Sequence, residues 1–267
     1  MNPISFHQVS EILAADKERV SISGWFHSPE RIKRPPPFQE TFHLPLPLVQ
    51  DALVTLEELV NPVYLMRDSL DQIKDTFLEQ SSIELKDFLK PEVFAALQKE
   101  LIAAAADGAV VGPANRRQYR RLLREEGAPE VCPAQLPVLR NVLRVLRSQL
   151  FATLLASITG ITPSKYYGEV RSFDHTHYTL IHDHSLEPSG VDVVLSCLGT
   201  AWEPAWGGQM VYMDQDEELL SVFPSGNSLL VVFRDEGTMR FVKYVNHYAE
   251  SSVPQVSFVY LEETQEK

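Results

Sequence analysis

The C-terminal part of this chain alternates between short apolar stretches and residues that favour turns. Eight stretches rich in Val, Leu, Tyr and Phe are separated by Gly, Pro, Asn and Asp, and in chain order they read YYGEVRSF, HYTLIHDHS, VDVVLSCLG, GGQMVYM, ELLSVFP, SLLVVFR, RFVKYVN and VSFVYLE. Apolar stretches of this length between turn residues predict β-strands. Eight short strands in succession predict a double-sheet jelly roll over residues 163–262.

The preceding residues 48–160 have a helical rather than an alternating pattern. Leu70, Ile73 and Phe77 recur three and four positions apart, as they do on one face of a helix. The longest candidate helix begins near Pro137, which suits a first helical turn, and ends at Gly160, which suits a helix C-terminus. We expect only helices in this part and expect them to lie under the sheet. The predicted fold class is therefore α+β, with a jelly roll packed on helices.

Residues 28–47 are rich in proline and include the run RPPPF. Proline favours extended geometry over regular secondary structure. This stretch is therefore predicted to be a linker between residues 1–27 and a C-terminal domain over 48–267.

One phrase occurs twice in approximate form. Residues 6–27 read FHQVSEILAADKERVSISGWFH, and residues 241–261 read FVKYVNHYAESSVPQVSFVYL. In each, a histidine and an acidic residue precede a strand of the type VSIS or VSFV. Internal repetition indicates duplicated structural units. We therefore expect two related jelly rolls, of which residues 1–27 represent the last strands of the first.

Composition and charge exclude several classes of protein. The chain has 267 residues, of which 44% are hydrophobic, and a formal net charge of −12. This negative charge disfavours broad binding to nucleic acid. No apolar run approaches the length of a membrane span, and we expect no secretory signal. Two cysteines without a CxxC pair fit a reducing compartment, the cytoplasm or the nucleus.

Arginines are concentrated in one part of the chain. Eight of them lie between residues 116 and 147, namely Arg116, Arg117, Arg120, Arg121, Arg124, Arg140, Arg144 and Arg147. Their spacing of three and four predicts that several share one helical face. This face is either solvated beside acidic neighbours or a docking surface for RNA or an acidic partner.

Two residues near the N-terminus form a candidate site. His7 and Arg19 lie beside the predicted strands of residues 1–27. Imidazole is a good iron ligand, and a guanidinium group binds both oxygens of a carboxylate. The alternative interpretation is a surface histidine and a solvated arginine.

A second candidate site lies in the jelly roll. His182 and His184 flank Asp183 after one predicted strand, and His247 follows a later strand. Three imidazoles would bind a divalent metal ion. Alternatively, these histidines are hydrogen-bonded inside a vestigial pocket. Alignment of VSISGWF with VSFVYLE places Gln255 at the position of Arg19, and this glutamine has no charge with which to hold a carboxylate.

Several phrases in order carry a resemblance to a known family. They are FHQVSEIL, RVSISGWFH, HYTLIHDHS, WEPAWGGQMVY, DEELLSVFPSGNSLLVVFRD and RFVKYVNH. Together they resemble the C-terminal half of the iron- and 2-oxoglutarate-dependent prolyl hydroxylases that modify a small-subunit ribosomal protein. The resemblance implies a catalytic N-terminal and a non-catalytic C-terminal double-stranded β-helix, another name for this jelly roll. It also implies 3-hydroxylation of a prolyl residue, with Fe(II), 2-oxoglutarate and ascorbate as cofactors and effects on translation.

The resemblance also implies roles for individual residues. His7 matches the distal iron ligand, and Arg19 matches the partner of the 2-oxoglutarate C5 carboxylate. The family's H-x-D pair would precede His7, so we expect an incomplete iron site and an inactive chain. Within the second jelly roll, His182, Asp183 and His184 form an altered version of the same pair.

Three functional hypotheses follow from the sequence. The first is the C-terminal part of a prolyl hydroxylase, acting as a scaffold or a substrate-docking surface. The second is an interaction module that binds a ribosomal or translation partner through arginine-rich helices. The third is a separate metal enzyme that uses His182, His184 and His247.

Overall fold

The computed structural model describes residues 9–14, 16–24, 44–50, 53–105, 108–124, 135–181, 183 and 189–262. Contacts divide the chain into two units, residues 1–43 and 44–267, which we describe separately. In the first unit, the described residues contain no helix or strand, so the strands predicted there are absent from that part. Val20 and Ile22 of this unit are exposed.

The second unit contains the following described elements. The strands are β1 (Leu46–Pro47), β2 (Ser82–Lys86), β3 (Ala109–Val111), β4 (Arg117–Arg124), β5 (Pro163–Phe173), β6 (Tyr178–Thr179), β7 (Gly190–Cys197), β8 (Met210–Asp214), β9 (Glu217–Val222), β10 (Gly226–Arg234), β11 (Thr238–Val242) and β12 (Val253–Glu262). The α-helices are α1 (Leu56–Leu59), α2 (Arg67–Gln80), α3 (Pro91–Ala105), α4 (Pro137–Leu146) and α5 (Gln149–Thr159), and 3₁₀ helices cover Pro62–Leu65 and Pro204–Trp206.

The strands form two antiparallel sheets. The large sheet has the order β2-β10-β7-β12-β5-β4-β3, with β1 beside β5 and β6 beside β4. The small sheet has the order β11-β8-β9. All eight strands predicted from the sequence are present as β5 to β12, and the prediction of a two-sheet architecture is confirmed.

The helices cover one face of the large sheet and the small sheet covers part of the other. Along β7, Val191, Val193 and Leu195 belong to the core shared with the helices, whereas Val194 belongs to a second core on the opposite face. This alternation follows from the two-residue period of a strand. Each fully buried side chain of this size stabilises the fold by about 1.5–3 kcal/mol. No described helix is long and apolar enough to cross a membrane.

The long helix predicted between Pro137 and Gly160 is two helices. Pro137 does begin α4, and Gly160, with φ of 75°, does end α5. Between them Ser148 begins a new helix, because its Oγ accepts a hydrogen bond from the Phe151 N–H at 3.2 Å. A serine that caps a helix in this way stops the preceding helix from continuing through it.

The expectation of helices alone over residues 48–160 was wrong, since β2, β3 and β4 lie in that part of the chain. The strand β1 also lies within the predicted linker 28–47. These strands are short or polar, and they join the edges of a sheet formed by later residues. For example, β2 pairs with β10 through Leu85 and Leu229. Such distant pairing leaves little local pattern in the sequence.

A buried asparagine joins β10 to the loop after β2. Asn227 has φ of 50°, next to an irregularity in the β10–β7 pairing, and is 5% exposed. Its Oδ1 accepts from the Leu89 N–H at 2.9 Å, and its Nδ2 donates to the Leu89 carbonyl at 2.8 Å. The side chain thus supplies both backbone partners of a buried leucine.

We predict that Asn227→Ala lowers the free energy of unfolding by about 2–4 kcal/mol, because both backbone groups of Leu89 lose their buried partner. Urea denaturation measures this loss. Asn246→Ala is a matched control, since Asn246 also makes two backbone hydrogen bonds, to Ala205 and Tyr248, but is only half-buried. An equal loss in the two variants would contradict the prediction.

Candidate functional site

The space between the two sheets is the candidate site, because Val245, two residues before His247, is among the residues that line it. Its apolar lining comprises Tyr119, Phe173, Val194, Leu198, Met210, Tyr212, Leu230, Val232, Val242, Val245 and Val253. Charged side chains lie among these residues. Their pairing decides what chemistry the interior supports.

One charged cluster joins three strands. Asp192 on β7 is 0% exposed, Arg234 on β10 is 2% exposed, and Arg240 on β11 is 6% exposed. Asp192 Oδ2 lies 3.2 Å from Arg234 Nε and 3.0 Å from Arg240 Nη1. The cluster therefore links the large sheet to the small sheet through one buried carboxylate. We call it the ion cluster.

The ion cluster makes this part of the interior unfavourable for a metal cation. It places two guanidinium groups around a single carboxylate, whose oxygens they already occupy. Tyr212 lies beside it, and burial, followed by the charge of Asp192, raises the pKa of Tyr212 well above its ordinary value. The phenol is therefore neutral at physiological pH and offers no anionic ligand.

A third buried arginine of this interior is Arg171. Arg171 on β5 pairs in register with Gln255 on β12, and its Nε donates to Gln255 Oε1 at 3.3 Å. The guanidinium carbon lies 5.2 Å from the Phe173 ring centroid and 5.9 Å from that of Tyr119. Gln255 itself lacks charge, as the sequence indicated, but a guanidinium on the neighbouring strand lies beside it. This arginine is held by an amide and two aromatic faces.

The predicted helical face of arginines is present only in part. Arg140 and Arg144 lie four residues apart on α4, whereas Arg117 to Arg124 form the strand β4. Arg117 pairs with Asp183 at 2.7 Å, Arg120 with Asp174 at 2.8 Å and Arg121 with Glu169 at 3.1 Å. Arginines three and four residues apart are not specific to a helix, because a strand with arginines on both faces has the same spacings. These three side chains are paired within the domain, and they lie on a strand rather than on the docking helix that the sequence predicted.

Three of the predicted site residues lie outside the described residues, namely His7, His182 and His184. Arg19 is exposed and donates to the Ser10 carbonyl. His247 is half-buried, and its ring lies 4.0 Å from that of Tyr248 and 6.4 Å from that of His175.

The described residues do not fit an iron centre. Within those ranges, no group of three His, Cys, Asp or Glu side chains is arranged to hold a metal ion. The arginines of the ion cluster add positive charge to the same interior. We therefore derive no reaction step through a metal from these residues.

Sequence reasoning missed the buried ions Arg171, Asp192, Arg234 and Arg240. A signal was present, since each interrupts or ends an apolar strand, as Asp192 does in VDVVL. A charged residue inside such a strand indicates an ion paired in the interior, because an unpaired buried charge is costly. The sequence alone did not indicate which strand would supply the oppositely charged partner.

We predict that Asp192→Asn lowers the free energy of unfolding by about 3–5 kcal/mol, because two buried guanidinium groups lose their shared carboxylate. Denaturant titration followed by circular dichroism measures the loss. Asp235→Asn makes the same change at an exposed position one residue beyond β10 and should cost less than about 0.5 kcal/mol. Equal stability of the two variants would show that the cluster contributes little.

Comparison with curated proteins finds relatives over most of this chain. Prolyl 3-hydroxylase OGFOD1 of Xenopus laevis is 34% identical over 291 residues, which cover 94% of this chain and 54% of the relative. The mouse protein of the same name is 32% identical, with 92% and 57% covered. Prolyl 3-hydroxylase sudestada1 of Drosophila melanogaster is 28% identical, with 91% and 50% covered. The chain thus spans about half the length of these relatives.

Solved structures resemble the fold at low sequence identity. A prolyl-4-hydroxylase of Pseudomonas putida aligns with a TM-score of 0.53 and 16% identity over 73% of this chain and 99% of that chain. A prolyl hydroxylase of Trichoplax adhaerens, in complex with a peptide of hypoxia inducible factor, aligns with a TM-score of 0.53 and 10% identity over 72% and 89%. These similarities support the jelly-roll fold alone.

A family model decides the classification. The family described as "Oxoglutarate and iron-dependent oxygenase degradation C-term" matches residues 51–267. That range contains every helix of the second unit, both sheets apart from β1, and the ion cluster between the sheets. The chain therefore belongs to the oxoglutarate- and iron-dependent oxygenase family, and residues 51–267 correspond to its C-terminal domain.

Proposed function

We propose that this chain is the C-terminal part of a prolyl 3-hydroxylase whose second jelly roll is a non-catalytic scaffold or docking domain. The observation that carries this proposal is the ion cluster, in which Asp192 is committed to Arg234 and Arg240. A carboxylate so committed is unavailable as a metal ligand. The relatives named prolyl 3-hydroxylase support the reaction class.

The catalytic residues belong to the same proposal. His7 would be an iron ligand and Arg19 the partner of the 2-oxoglutarate carboxylate in the intact oxygenase. The proposed cofactors are Fe(II), 2-oxoglutarate and ascorbate. The proposed substrate is a prolyl residue in a small-subunit ribosomal protein, in the cytoplasm or the nucleus, and its hydroxylation would affect translation.

The alternative is a metal site formed by His182, His184 and His247. Of these, His247 is described, and its nearest aromatic ring belongs to Tyr248. This contact suits a packed histidine as well as a ligand. The alternative is therefore retained as an outcome of the test below.

We predict that the purified 267-residue chain, loaded with Fe(II) under anaerobic conditions, retains no stoichiometric iron and forms no succinate from 2-oxoglutarate. Metal analysis after desalting and succinate detection by mass spectrometry measure these two quantities. The full-length Xenopus laevis relative is the positive control for the assay.

The variants His182→Ala and His247→Ala separate the two candidates. If the unmodified chain binds one equivalent of iron and either variant loses it, the second jelly roll is a metal site and its non-catalytic role is wrong. Succinate formation by the unmodified chain would likewise overturn the proposal of inactivity.

A further inference from the structure

A small cleft lies between the two sheets, beside the ends of β7 and β9 and the beginning of β10. Its polar lining consists of Glu84, Ser196, Ser225, Ser228 and Gln255. All of these residues are described, and none belongs to the ion cluster. The cleft shares Val194, Met210 and Leu230 with the apolar interior described above and differs from it in containing the carboxylate of Glu84.

The carboxylate of Glu84 is the one charged group that lines the cleft. Its Oε1 accepts hydrogen bonds from Ser225 Oγ at 2.9 Å and from Ser228 Oγ at 2.5 Å. Among the described residues, no cation lies within ion-pair distance of Glu84. The two hydroxyl groups fix the orientation of the carboxylate. They are neutral, so the described residues supply no counterion for its charge.

The other polar residues are held in place by the fold. Ser196 Oγ accepts from the Ser225 N–H at 3.3 Å, and Gln255 Oε1 accepts from Arg171. Ser196, Ser228 and Gln255 are between 2% and 8% exposed. A site whose groups are already ordered loses less entropy when it binds a ligand.

The walls of the cleft are apolar. Met210, Val222, Phe223 and Pro224 line it, and Phe223 is 39% exposed. Gly208 completes the wall, and a Cβ at this position would lie 3.1 Å from Cζ2 of Trp202. Apolar walls around a carboxylate suit a ligand with a hydrocarbon stem and a cationic end.

The size of the cleft selects the cation. The space in the cleft that the centre of a water-sized group can enter is about 20 Å³, enough for about one such group. The ammonium group of lysine is a compact charge of that size, whereas the guanidinium group of arginine is a wider plane. The dimensions therefore favour lysine.

The net charge of the chain suits a basic partner. The chain carries a formal net charge of −12, and the far end of β9 contributes the exposed residues Glu217 and Glu218, the second of which is paired with Lys243. Negative charge around a binding site accelerates association with positively charged partners.

We propose that this cleft binds the ammonium group of a lysine side chain from a partner peptide, with Glu84 as its counterion. This inference specifies the partner chemistry of the docking role and rests on that role. Binding is measured without iron, 2-oxoglutarate or turnover, so that its failure is distinguishable from a failure of the proposed reaction.

The first test is a titration of the ¹⁵N-labelled 267-residue chain with the capped peptide Gly-Gly-Lys-Gly-Gly, followed by NMR. We expect saturable shifts of the amide signals of Ser196, Gly208, Ser225 and Ser228. Matched peptides contain norleucine, acetyl-lysine or arginine in place of lysine. They should bind at least about tenfold more weakly, as expected when a charge-assisted hydrogen bond is lost or cannot form.

The second test uses Glu84→Gln, which keeps the side-chain shape and removes the charge. Binding of the lysine peptide should weaken at least about tenfold. Glu217→Gln makes the same change in net charge outside the cleft and should retain affinity. The melting temperature of each variant reports whether it folds. If Glu84→Gln does not fold, the comparison of the four peptides on the unmodified chain still tests the proposal.

Three results would overturn the proposal. The first is the absence of saturable shifts at the cleft with the lysine peptide. The second is equal affinity for the norleucine or arginine peptide, which would refute the role of charge or of size. The third is unchanged affinity in a folded Glu84→Gln variant.

Discussion

The central strands of the large sheet are covered on both faces, and much of the structure depends on this constraint. Almost every residue of β7 and β12 is buried, by helices on one side and by the small sheet on the other. A polar side chain on such a strand has no access to water and requires a partner inside the protein. Asp192 and Gln255 meet this requirement through arginines on neighbouring strands.

This requirement limits the chemistry of the jelly-roll interior. A catalytic metal centre needs carboxylate and imidazole groups with free lone pairs and an open position for substrate. The lone pairs of Asp192 are already engaged by two guanidinium groups, and Arg171 is packed on aromatic rings. The interior therefore contributes stability. Accessible polar groups with an unengaged charge lie at the cleft, where Glu84 meets solvent.

The jelly-roll strands could be predicted from the sequence, whereas β2 and β4 could not. The eight strands of the jelly roll were readable because each buries its own apolar side chains, and the limits Pro137 and Gly160 were readable because they act on the local backbone. The strands β2 and β4 were not readable, since SIELK and RQYRRLLR contain too few apolar residues to specify a strand. They are strands because β10 and β5 offer edges for pairing.

The candidate site was less predictable than the fold. Local sequence identified histidines and arginines as chemically capable side chains, but pairing depends on which strands become neighbours. Arg117 illustrates this, because its charge is matched by Asp183, which lies far away in sequence.

The sequence by itself determined the fold class, the order of the jelly-roll strands and the family resemblance, since these depend on the period and order of local segments. Only the tertiary structure decided that the arginines near β4 are paired internally, that Asp192 joins two sheets and that Glu84 stands without a counterion among the described residues. The physical reason is that electrostatic interactions act over a few ångströms in space, whatever the separation of the residues along the chain.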